Sequence, residues 1–122
     1  MHPITNLFVV VTAAMLAACA TQTPVTPGNH MVVRDMGGTL LMQFDYPTDE
    51  LCAKTTAAMR GSIYKANCTL TSQSASLKAH ATLRYMPPGV LVQGNYIDMA
   101  LCRRMTAESS PGVELIKACS DK

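Results

Sequence analysis

The chain repeats itself. At an offset of 50 positions, Leu41, Gln43, Tyr46, Leu51, Cys52, Thr56 and Ala57 recur as Leu91, Gln93, Tyr96, Leu101, Cys102, Thr106 and Ala107. No gap is needed between Thr39 and Arg60. Conservative pairs fill the intervals: Leu40 with Val90, Met42 with Val92, Asp45 with Asn95, and Lys54 with Arg104. After a short slip, Lys65-Ala66-Asn67-Cys68 is echoed by Lys117-Ala118-Cys119. Self-similarity at a fixed period restricts the fold to one assembled from like units.

Local patterning gives the unit its shape. In the first copy Leu40, Met42, Phe44 and Tyr46 alternate with Leu41, Gln43 and Asp45, the period of a strand. Pro47-Thr48-Asp49-Glu50 then opens a helix. Thr48 supplies a capping hydroxyl, and the two acids suit the positive end of the helix. Arg60-Gly61 closes it, with a cation in the last turn and a glycine free to leave right-handed backbone. Ile63 to Thr71 is again β-rich. In the second copy the strand is Val90 to Tyr96, Asp98 caps the helix, Pro111-Gly112 stops it, and Val113 to Cys119 returns as a strand. Between the copies, Leu77 to Met86 reads as a further strand, and Pro87-Pro88-Gly89 turns the chain into the second copy. The expectation is an α+β fold: one mostly antiparallel sheet with two helices on one face. It is built from a duplicated βαβ unit (39–68 and 89–119) with a connecting strand.

Such a domain is short of large side chains. It has no Trp, and Phe44 with four Tyr are its only aromatics outside the N-terminal apolar run. A small core of this kind gains from covalent staples. Beyond Cys19 there are four cysteines: Cys52, Cys68, Cys102 and Cys119. Their spacings, 15, 33 and 16 intervening residues, contain no close pair of the kind zinc sites use. Two disulfides are the expectation. Each copy has one Cys on its helix and one near its second strand, which favours Cys52–Cys68 with Cys102–Cys119. Bridges between copies, Cys52–Cys102 with Cys68–Cys119, are the competing arrangement.

The fifth cysteine belongs to a different signal. Leu7 to Leu16 is an apolar run of signal-peptide length, too short to span a bilayer. It ends in Leu16-Ala17-Ala18-Cys19, which resembles the lipobox of bacterial lipoproteins. The residues before Leu7 include no Lys or Arg, a departure from the usual leader. Cutting after Ala20 as an ordinary secretory signal is the alternative. The resemblance implies a signal peptide at 1–18 and lipidation of Cys19. Two or more acyl chains hold stably where one does not. Ala20 after the Cys, rather than Asp, resembles an outer-membrane sorting signal, most simply on the periplasmic face. Thr21 to Asn29 is polar and Pro-punctuated, so 19–38 reads as lipidated Cys plus flexible tether, with 39–122 as the folded domain. Part of Met31-Val32-Val33-Arg34 could instead add an edge strand.

The mature chain carries no recognisable catalytic motif. There is no G-x-S-x-G and no phosphate-binding glycine loop. Asp45, Asp49 and Glu50 lie close in sequence, but capping accounts for the last two. His80 reads as an ordinary strand residue. His30, Met31 and Met36 form a candidate soft-metal cluster for copper; the competing reading is that methionine fills a core short of aromatics. A net charge of +2 with no basic stripe argues against nucleic acid. The expected function is therefore a non-enzymatic binding or envelope-assembly module, without cofactor, tied to the membrane by its lipid. Its partner would be an envelope protein or peptidoglycan. The duplicated βαβ outline, with Val92-Gln93 on a leading strand, resembles SPOR domains, which bind glycan. That resemblance implies that Gln43 and Gln93 line a glycan face. A copper-binding protein and an inhibitor of a lysozyme-type hydrolase are the remaining alternatives.

Overall fold

The alternation read in the sequence sorts side chains cleanly between two faces of a sheet. In the computed structural model, which describes residues 28–59, 61–87, 89–107 and 111–122, Met42, Phe44 and Tyr46 are buried on one face, as are Val92 and Tyr96. The leader, Cys19, the tether as far as Pro27, and the turn residues Arg60 and Pro88 lie outside the described residues. The elements run β1 (His30–Arg34), β2 (Leu40–Asp45), α1 (Asp49–Ala58), β3 (Lys65–Thr69), a 3-10 turn at Ser74–Ser76, β4 (Ala79–Tyr85), β5 (Val90–Tyr96), α2 (Met99–Ala107) and β6 (Val113–Asp121).

One antiparallel sheet of six strands results, in the order β3-β1-β2-β5-β4-β6. The order is a palindrome of elements: each half of the chain runs β-β-α-β, and the two halves meet where β2 pairs with β5. Both helices lie on the face that carries the main core. That core joins Met31, Val33, Met42, Phe44, Cys52 and Cys68 to their neighbours from the second half, including Leu83, Val92, Leu101 and Cys102. The caps are those the sequence marks. Thr48 Oγ1 accepts from the Leu51 amide at 3.2 Å, and Asp98 Oδ1 accepts from the Leu101 amide at 2.8 Å. Each satisfies one orphan amide at a helix start.

Two disulfides, Cys52–Cys68 and Cys102–Cys119, tie each helix to the strand that follows it. These are the within-copy pairings; bridges between copies are not formed. Their loops are nearly equal, with sequence separations of 16 and 17. Closing a loop of that length contributes about 3 kcal/mol.

The stretch read as the end of the tether is a correction. His30–Arg34 is neither linker nor edge. It is an interior strand, hydrogen-bonded to β2 on one side and β3 on the other. Met31, Val32 and Val33 are all buried. A run of β-branched and apolar residues with partners on both sides gains burial on both faces. The chain enters this strand tightly: a Cβ on Gly28, at φ +125°, would collide with the Thr69 carbonyl group. The folded part therefore begins by Gly28, ten residues before the boundary drawn at 38. The segment read as a connecting strand is likewise no mere connector. β4 sits between β5 and β6, the place that β1 holds between β2 and β3.

Candidate functional site

The sheet face opposite the helices is polar and concentrates the hydrogen-bonding side chains. Antiparallel register puts residues distant in sequence side by side. His30 on β1 faces Asp45 on β2, which faces Gln93 on β5, which faces Thr82 on β4. One pleat along, Gln43 faces Asn95, Asn95 faces His80, and His80 faces Ser120 on β6.

In the first half Gln43 is closed in, while His30 and Asp45 stay half-buried. His30 Nδ1 lies 2.6 Å from Asp45 Oδ1. Gln43 Nε2 donates to the same oxygen at 2.7 Å, and Asn95 Nδ2 donates to Asp45 Oδ2 at 3.2 Å. The segment after β3 folds over this cluster. Gln43 Nε2 also donates to Ser72 Oγ at 2.9 Å, and Gln43 Oε1 accepts from the Gln73 amide at 2.6 Å. Arg34 Nη2 holds the lid by donating to Gln73 Oε1 at 2.7 Å. Gln43 is fully buried as a result (0% exposed). This corrects its place on a glycan face: every polar atom of its side chain is engaged, and the Ser72–Gln73 segment shuts it from any ligand. A buried amide without such partners would be costly.

In the second half His80, Thr82, Gln93 and Ser120 stay accessible, while Asn95 is buried. Gln93 Nε2 lies 3.1 Å from His80 Nδ1, and Thr82 Oγ1 donates to Gln93 Oε1 at 3.2 Å. Ser120 Oγ lies 3.0 Å from His80 Nε2. His80, Thr82 and Gln93 are half-buried, and Ser120 is exposed. Hydroxyl, imidazole and amide in a row have the outline of a nucleophile–base–orienter relay. They open on to the strand surface, however, and a pocket among the described residues lies on the other face.

That pocket, of about 180 Å³, lies between α2 and the sheet. Phe44, Leu83, Val113, Leu115 and Met105 supply apolar walls; Tyr85, Tyr96 and Thr106 complete the lining. Beside it, a glycine leaves room for an aromatic ring. Gly94 pairs with Phe44 across β2 and β5, and with Ala81 on β4. Tyr96 folds back over the space: a Cβ on Gly94 would lie 2.7 Å from the Tyr96 hydroxyl. Phe44 packs edge-on to Tyr96 with ring centroids 5.8 Å apart, and Tyr46 does the same with Tyr85 at 5.7 Å. Burial, with repulsion from a Tyr85 phenolate, pushes the Tyr46 and Tyr96 phenols well above their ordinary range.

The candidate metal cluster does not assemble. His30 and Met31 are neighbours on a strand and so point to opposite faces. Met31 is in the core, while Met36 is exposed in the turn between β1 and β2. Among the described residues no group of three or more His, Cys, Asp or Glu is placed to hold a metal ion.

Neither His80 nor Asp45 belongs to a site motif in the sequence, yet the repeat carries a signal for the histidine. His30 and His80 stand at the same offset of 50 as the matched pairs downstream, outside the interval compared. Compared with known proteins, the chain matches no family model, no curated protein and no solved structure. Among the described residues no helix is long and apolar enough to cross a membrane.

Proposed function

We propose that the protein is an outer-membrane-anchored periplasmic lipoprotein whose folded part is a non-enzymatic binding or envelope-assembly module. It binds through the polar sheet face of its second half. The observation that carries this reading is the row formed by Gln93, His80 and Ser120, with hydrogen-bonding groups on a face that no helix of the described residues covers. The two disulfides are in keeping with an oxidising compartment. The anchor rests on Leu16-Ala17-Ala18-Cys19.

The fold is also read as an internal duplication, with the unit extended from βαβ to ββαβ. Support comes from features that recur at or near the offset of 50: the histidines, the helix caps, the helix cysteines and the paired glutamines. The paired glutamines differ: Gln43 is shut from solvent and Gln93 is half-buried.

A peptidoglycan strand is the second reading for the partner, because neutral amide, imidazole and hydroxyl groups suit sugar hydroxyls and acetamido groups. Labelling with radioactive palmitate tests the anchor: the wild type takes up label and Cys19→Ser does not. Purified sacculi then separate the partners. Retention lost in Gln93→Ala favours glycan, and no retention favours an envelope protein. A serine-directed fluorophosphonate that labels Ser120 would overturn the non-enzymatic reading.

A further inference from the structure

We infer that the turn between β4 and β5 is a membrane-contact tip, which seats the apolar side chains of Met86 and Leu91 in the surface of the bilayer that holds the lipid. The inference rests on the anchor proposed at Cys19 and is separate from the polar row.

The two hairpin turns differ in chemistry. The turn from β1 to β2 is polar: Arg34 Nη1 donates to the Gly38 carbonyl at 3.2 Å, and Asp35 Oδ1 accepts from the Thr39 amide at 2.9 Å. Its counterpart from β4 to β5 has no charged residue between Tyr85 and Leu91. Met86 is 51% exposed and Leu91 54%, with Pro87 exposed beside them. Single apolar residues on a surface are ordinary, but a group of them marks a contact with a partner or a membrane.

The path of the chain says which. Register sets His30 on β1 level with Asp45 on β2, Gln93 on β5 and Thr82 on β4. Beyond that level, Leu91 and Met86 lie at the same end of the sheet as Gly28, where the chain enters the fold. Leu70, 72% exposed, stands beside Gly28 at this end. The turn from β1 to β2 is at the opposite end. Gly28 is nine residues from Cys19, a reach of at most about 30 Å and about 17 Å as a flexible coil. Met36, in the polar turn, is about 26 Å further from the entry point, at about 3.3 Å per residue. Lipid on Cys19 therefore draws the Met86–Leu91 end to the bilayer and leaves the polar turn away from it. Asp49 and Glu50 open α1 at the same end, so the contact rests on apolar burial and not on charge. Such a contact adds a second membrane signal to the lipid. It also stands the strands upright, with His80 about 20 Å above Met86 and its row facing sideways.

The chain has no Trp, so a single introduced Trp reports its own surroundings. Full-length lipidated protein carrying Met86→Trp is reconstituted into phosphatidylcholine vesicles with brominated acyl chains. Its emission should shift to the blue and fall by about half, as at the boundary of headgroups and acyl chains. Met36→Trp, the same exchange in the opposite turn, should keep its emission. Leu70→Trp should be quenched too, and adding Met86→Asp with Leu91→Asp should relieve that quenching. Protein that does not float with the vesicles would overturn the anchor and this contact together. Protein that floats, with Met86→Trp quenched no more than Met36→Trp, would overturn the contact alone.

Discussion

The two halves of this molecule share a frame and differ in what they leave open. Each runs β-β-α-β, caps its helix with an oxygen three residues before a Leu, and bridges that helix to its last strand. In the first half, Phe44 fills the core row and Ser72–Gln73 shuts the polar row. In the second half, Gly94 gives up its place in the core row to the Tyr96 ring, and His80–Gln93–Ser120 stays accessible. The lesson is that frame and site are separable. Caps, bridges and register hold the strands in place, and single exchanges on either face then decide where another molecule can reach.

The frame is the part most sensitive to change. Replacing Cys52 and Cys68 together by Ala, or Cys102 and Cys119 together, should cost about 3 kcal/mol each in urea unfolding. Because the loops are almost the same length, the two losses should agree within about 1 kcal/mol. A large imbalance would break the equivalence of the halves.

The paired glutamines sharpen the contrast. Gln43→Ala strands partners on Asp45, Ser72 and Gln73 inside a closed cluster and should cost about 2–3 kcal/mol. Gln93→Ala, in the open row, should cost less than about 1 kcal/mol. Equal losses would mean that the second face is closed as well.

A smaller effect concerns the tyrosines packed between the halves. Their folded-state phenols resist ionisation beyond the ordinary value of 10.0. The stability this confers is therefore intact below that pH and is lost as pH climbs above it. Tyr46→Phe should flatten the decline, with a difference of about 1 kcal/mol near pH 11. Parallel decline in both proteins would contradict the burial argument.

Much of the frame is legible in the residues themselves. Strand alternation around Met42 and Val92, the caps at Thr48 and Asp98 and the cysteine spacing are local signals, and local signals survive in a bare sequence. β1 was harder because its Met31-Val32-Val33 core follows directly on a Pro-rich stretch, so composition extends the tether over it. The closure of Gln43 is not local at all. It depends on Ser72 and Gln73, some 30 positions away, folding across the sheet. The His30–Asp45 pair similarly forms only through antiparallel register. The room that Tyr96 takes has a trace, since aligning the halves sets Gly94 against Phe44, a large-to-small exchange in an otherwise matched row.

The central claim is that the open polar face of the second half is where the protein meets its partner. A photo-crosslinking residue placed at Thr82, on that face, or at Lys54, on the exposed side of α1, tests it in intact cells. A discrete crosslinked species from position 82 and none from position 54 is the predicted result. A species from position 54, with position 82 silent, would contradict it.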